Sequence, residues 1–159
     1  MEYQVDLREV LAVATSLSNS GPVIDREITT ALTKSGLVVE GRAKELAPYD
    51  MGKLRQSITT QVRSDSVLIG PGGVAEKYGP TMEFGREKGK PMPPPGALVG
   101  WLIRNNMDPK LDYVIRRSIA RKGIAARRYM RDSLEQNKPR IDAFFQEAAQ
   151  NIIKQVVRK

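Results

Sequence analysis

Cysteine and histidine are both missing from the 159 residues of this chain. Without cysteine there is no disulfide framework and no thiolate chemistry. Without histidine the commonest general base, the commonest metal ligand and the usual nucleophilic triad are gone. The longest apolar stretches are a few residues, far short of a bilayer span. Glu2, Asp6 and Glu9 sit around a short apolar pattern where a leader would have a basic start and an apolar run, so no secretory leader is expected.

What is abundant is positive charge, and it is unevenly placed. Lys+Arg total 26 against 18 Asp+Glu, a net charge of +8. Residues 1–100 hold 12 basic and 12 acidic residues, and residues 101–159 hold 14 and 6, so the second segment carries the whole +8. Between Arg104 and Arg131 there are nine cations against Asp108 and Asp112. Such a concentration predicts a polyanion or an acidic protein surface as partner. Arg116, Arg117, Arg121, Lys122, Arg127 and Arg128 are the candidate contact residues. On a helix Arg117 and Arg121 share a face, with Arg116 to its side. Only Tyr113 and Tyr129 lie nearby, so base-specific readout is not expected.

Hydrophobic spacing predicts an α+β domain spanning residues 1–159. A short helix is expected over about 7–18, ended by Asn19-Ser20-Gly21-Pro22. A longer one is expected from about Val23 to Leu46, with Ile24, Ile28, Ala31, Leu32, Ser35, Val39, Ala43 and Leu46 on one stripe. Gly36 and Gly41 weaken it but permit close packing. Asp50 and Gly52 mark a turn after Pro48. Leu54 to Arg63 alternates as a strand and Val67–Ile69 returns as its hairpin partner. A further strand is expected around Tyr78–Phe84, ended by Gly85. Residues 85–100 form a loop stiffened by Pro91, Pro93, Pro94 and Pro95. Short helices are expected over Ala97–Asn105 and from Asp112 to Gly123. A C-terminal helix is expected from Asn137, with Pro139 in its first turn and an apolar stripe of Ile141, Phe144, Phe145, Ala148, Ile152 and Val156 widened by Ala149 and Ile153, and Met130–Gln136 is expected as a preceding helical turn. The expected architecture is a small antiparallel sheet, hairpin plus further strand, packed against the long N-terminal-half helix and the C-terminal helix.

Candidate chemistry is sparse. Glu76, Glu83 and Glu87 are close in sequence but lack the ligand types and spacing of a metal site. Gly70-Pro71-Gly72-Gly73 lacks the Gly-Lys-Ser/Thr ending of a phosphate loop. Ser57 and Ser118 have no base to activate them. No catalytic, metal or cofactor site is expected. Trp101, Phe144 and Phe145 read as core or subunit-interface residues.

Three segments, in order, resemble a known family. Ala47-Pro48-Tyr49-Asp50-Met51-Gly52-Lys53-Leu54-Arg55-Gln56-Ser57-Ile58 resembles the A-P-x-x-T-G-x-L-R-x-S-I signature of the tailed-phage neck and tail-completion family of lambdoid siphophage type. Tyr78-Gly79-Pro80-Thr81-Met82-Glu83-Phe84-Gly85 resembles its Y-A-x-x-x-E-F-G strand. Ile119-Ala120-Arg121-Lys122-Gly123-Ile124-Ala125-Ala126-Arg127-Arg128-Tyr129-Met130 is similar to its I-A-R-x-G-I-x-A-R-P-F-L segment. The likeness spans about residues 23 to 157. It departs at Met51, at Arg128-Tyr129-Met130 and in a proline-rich insert carrying Trp101.

The resemblance implies a non-enzymatic virion protein assembled in the host cytoplasm. Such a protein would form a homo-oligomeric ring of six subunits in the neck, complete the tail and mediate head–tail joining. Its neighbours would be a head–tail adaptor, a tail terminator or the tail tube. DNA would pass through the ring without sequence-specific binding, and no membrane or cofactor is implied. In that setting Phe84 would be buried, Glu83 free to pair with an arginine, and the 86–100 loop would meet a neighbouring ring. A basic nucleic-acid-binding accessory protein is the alternative that the charge alone allows.

Overall fold

In a computed structural model, the structure describes residues 20–49 and 52–157. The helix expected over 7–18 and the turn residue Asp50 lie outside the described residues. The elements are α1 (Gly21–Leu46), α2 (Lys53–Ser57), β1 (Ile58–Val62), β2 (Val67–Pro71), α3 (Gly79–Phe84), α4 (Val99–Arg104), α5 (Asp112–Lys122) and α6 (Tyr129–Val157). Short 3₁₀ turns occupy Gly73–Lys77 and Pro109–Leu111. This is an α+β chain, mostly helical, with a two-stranded antiparallel hairpin and long helices in its N-terminal half and at its C-terminal end. The described chain divides into two compact units. One comprises residues up to 39, 60–69 and 136 onward; the other comprises 40–59 and 70–135.

In the first unit, Ala31, Leu32 and Val39 of α1 and Ala148 and Val156 of α6 are buried. Those positions follow the helical spacing of both segments. Gly36 explains how closely α1 meets the hairpin. A Cβ there would run into Thr60 and Val67, so only glycine lets the backbones approach. Glu27 gathers the polar contacts. It accepts from Asn151 Nδ2 at 3.1 Å and Gln155 Nε2 at 3.2 Å, while Arg26 donates to Gln155 at 2.7 Å. Arg26 also donates to Glu27 at 3.1 Å, and the bonds from Asn151 first and Arg26 next hold the Glu27 carboxyl below the usual carboxylate range. Lys34 pairs with Glu147 at 3.0 Å and lies over the Phe144 ring. Phe145 and Ile153 face solvent instead of the core.

In the second unit, Ala43, Ala47, Leu54, Ile58, Ala75, Leu102 and Tyr129 form the buried apolar set. Three sequence expectations change here. Leu54–Ser57 is helical, and the strand begins only at Ile58. Leu54 and Ile58 are four apart, a spacing that suits alternation and a helical face equally, so periodicity could not separate them. Gly52, at φ 71°, starts α2, and the Gln56 N–H donates to its carbonyl at 2.9 Å. The further strand over Tyr78–Phe84 is the helix α3 instead. Pro80 sits in its first turn, where a missing N–H costs nothing, and Gly85 at φ 78° ends it. Finally, the helical turn expected over Met130–Gln136 and the helix expected from Asn137 are one continuous helix, α6, which starts at Tyr129 and has Pro139 inside it. The reason is a distant side chain.

Candidate functional site

That side chain is Glu83. Its carboxylate accepts the Met130 N–H at 2.8 Å and the Arg131 N–H at 3.0 Å, capping the first turn of α6 from outside the helix. Two donors that a helix N-terminus always leaves open are thereby satisfied, and the negative charge meets the positive end of the helix dipole. Arg128 precedes the helix at φ 52° and offers no side-chain acceptor of its own, so the cap has to come from elsewhere. Glu83 is consequently buried, and Phe84 is 80% exposed. Both placements reverse the expectation of a buried Phe84 beside a free Glu83. On a strand the two side chains point oppositely; on the helix α3 it is Glu83 that turns inward.

Tyr129 packs beneath this cap, 1% exposed, with its hydroxyl 3.5 Å from the Gly79 carbonyl. Burial first, then the Glu83 charge and Tyr78, push its pKa up to about 12. An unfolded tyrosine titrates near pH 10. The folded chain therefore keeps its proton where the unfolded chain has lost it. This contribution to stability is complete below about pH 10 and is lost as pH rises towards 12. A Tyr129→Phe chain should lack that alkaline fall in melting temperature. Equal alkaline slopes in both chains would refute the assignment.

The segments around residues 86 and 124 are tied together just beyond. The Arg86 N–H donates to the Ile124 carbonyl at 2.9 Å and the Ile124 N–H returns to Arg86 at 2.8 Å. Gly85 and Gly123 flank this bridge, both at φ 78°. A Cβ on Gly123 would strike the Arg86 carbonyl, so the pairing requires that glycine.

Arg116 is likewise turned in, at 5% exposure. Its Nε donates to Asp112 at 2.7 Å and its Nη1 to the Pro93 carbonyl at 2.9 Å. Asp112 also accepts the N–H groups of Gly96 at 3.1 Å and Leu98 at 3.2 Å. Burial pushes the Asp112 carboxyl up, but the Gly96 N–H, Arg116 and the Leu98 N–H outweigh it, and its pKa is lowered. This pair clasps the proline loop onto α5. Arg116 is thus a buried structural cation and is not available to a partner, unlike the exposed Arg117, Arg121, Lys122, Arg127 and Arg128.

The three family-like segments all fall in the second unit and meet at one groove of about 670 Å³. Pro48, Tyr49, Lys53 and Leu54 come from the first segment, Tyr78 and Met82 from the second, and Ile119 and Arg127 from the third. The insert adds Leu98, Trp101, Arg104 and Asn105. Arg55 holds the first segment closed by donating to the Ala47 carbonyl at 2.9 Å and lying over the Tyr49 ring. Backbone bonds from Arg127 to Met82 at 2.9 Å and from Arg128 to Glu83 at 3.1 Å join the second to the third.

No family model matches this chain. Searches of curated proteins and of solved structures likewise find no match.

Sequence reasoning singled out Trp101, Arg127 and Gly52 without placing the first two in one groove. Aspartate four residues before arginine, at 112 and 116, was the available sign of the clasp. Nothing local marks Glu83 as the cap of a helix 47 positions away. Among the described residues no three Asp or Glu side chains gather as a metal cluster, and no helix is long and apolar enough to cross a membrane.

Proposed function

We propose that this protein is a structural component of a tailed-phage neck, completing the tail and joining it to the head within an oligomeric ring. One observation carries the reading beyond the three ordered motifs. Among the described residues, seven buried apolar side chains exceed alanine in size: Leu32, Val39, Leu54, Ile58, Leu102, Tyr129 and Val156. Fifteen large apolar side chains are exposed, including Phe84, Val74 and Tyr49 at 73–80%. Single exposed leucines are ordinary, but side chains as large and as exposed as Phe84, Val74 and Tyr49 are what a subunit offers its neighbours. In this reading the chain is not an enzyme and needs no cofactor. Its partners are further copies of itself, in a ring of six, and adjoining neck and tail proteins in the virion.

The test is genetic and physical. Particles made without this protein should accumulate as filled heads and separate tails, and the purified chain or its particle should contain a ring. Normal infectious virions from the deletion would overturn the proposal. DNA binding at low salt that weakens steeply as salt is raised would instead favour the nucleic-acid reading.

A further inference from the structure

The groove in the second unit has a composition that a purely structural seam does not require. Its floor consists of half-buried aliphatic side chains, among them Ile115 and Ile119. Trp101 at 37% exposure and Tyr49 at 73% stand at its edge. The described lining residues include three cations, Lys53, Arg104 and Arg127, and no carboxylate. Lys53 and Arg127 are exposed and make no ion pair with any described residue. Lys53 and Arg127 beside one apolar cleft attract a negatively charged group. The volume lies within the range that encloses a ligand-sized group, which here is enough for one or two side chains.

We propose that this groove docks an acidic segment of a partner protein, with an aromatic or long aliphatic side chain seated on Ile115 and Ile119 and flanking carboxylates paired to Lys53 and Arg127. Tryptophan, tyrosine and arginine around a desolvated centre are the residue types that carry binding energy at protein interfaces. The aliphatic floor favours a peptide over nucleic acid. A sugar-phosphate backbone gains nothing from such a floor, whereas an apolar anchor gains its whole buried area. The proposal does not depend on the phage reading: an acidic anchor segment can come from any partner.

Trp101 is the only tryptophan in the chain, so its emission reports on this groove alone. The probe is a random peptide library displayed on ribosomes and selected on the full-length protein. The leading peptide is then titrated in solution. The expected consensus sets Asp or Glu beside Phe, Trp, Leu or Ile. Its binding should shift Trp101 emission, and a Lys53→Glu/Arg127→Glu chain of unchanged melting temperature should bind it about tenfold or more weakly. Four results would each overturn the proposal. They are no enriched sequence, a consensus without acidic residues, affinity unchanged in the double variant, and tighter binding of a short oligothymidylate than of the selected peptide. A multimer that falls to single chains in the double variant would assign the groove to a second copy and overturn it as well.

Discussion

Replacing Glu83 with alanine should lower the stability of the fold by about 2–4 kcal/mol, the loss of a charged cap plus two buried donors left unpaired. The carboxylate is 6% exposed and accepts two backbone N–H groups with a different oxygen for each. Water cannot easily replace it there. Glu83→Gln should fall between the wild type and alanine, because the amide keeps one accepting oxygen and turns an NH₂ group towards the other donor. A second readout separates cap from bulk packing. Removing the Glu83 charge takes away one cause of the raised Tyr129 pKa, so in Glu83→Gln that pKa should move down from about 12. Denaturant melts and alkaline spectroscopic titration measure the two effects. Wild-type stability in Glu83→Ala would show that α6 begins elsewhere in solution.

The second large effect is expected at Arg116. Alanine there strands Asp112 with only its backbone donors and releases the Pro93 carbonyl. Breaking a buried pair from one side should lower the melting temperature by about 6–15 °C. Arg116→Lys should recover only part of this, because one ammonium cannot reproduce the fork that reaches both Asp112 and Pro93. The 85–98 loop should also loosen, speeding trypsin cleavage after Lys88. Acid acts on the same clasp. The lowered Asp112 pKa means its contribution is present above the ordinary aspartate value of about 3.9 and is lost as pH falls through the folded value. Unchanged melting and unchanged proteolysis in Arg116→Ala would remove the clasp from the account.

Elements whose signals are local could be read from the residues. The long helix to Leu46, the helix from Asp112 to Gly123 and the returning strand at Val67 follow from apolar spacing and glycine stops. Where reading failed, a long-range contact decided the outcome or two periods coincided. Leu54 and Ile58 fit both a strand and a helix, and Gly52 in the left-handed region settles it. Tyr78–Phe84 carries apolar residues that an alternating pattern accommodates, but Pro80 and Gly85 are also a helix start and a helix stop. The candidate groove was the least readable feature. Its walls come from four stretches separated in sequence, and only the fold places Lys53, Trp101 and Arg127 around one cleft.

The origin of the last helix has a consequence for how the chain acquires its form. Local chemistry around Asn137 and Pro139 favours a start there, and the turn from Tyr129 to Gln136 relies on a carboxylate closed in from residue 83. Those eight residues are therefore helical on condition. Excised as a peptide, residues 129–157 should nucleate at Asn137 and leave the earlier turn frayed. In the intact chain the bonds from positions 130 and 131 to Glu83 hold that turn in place. Its helicity thus reports that the second and third motifs are joined.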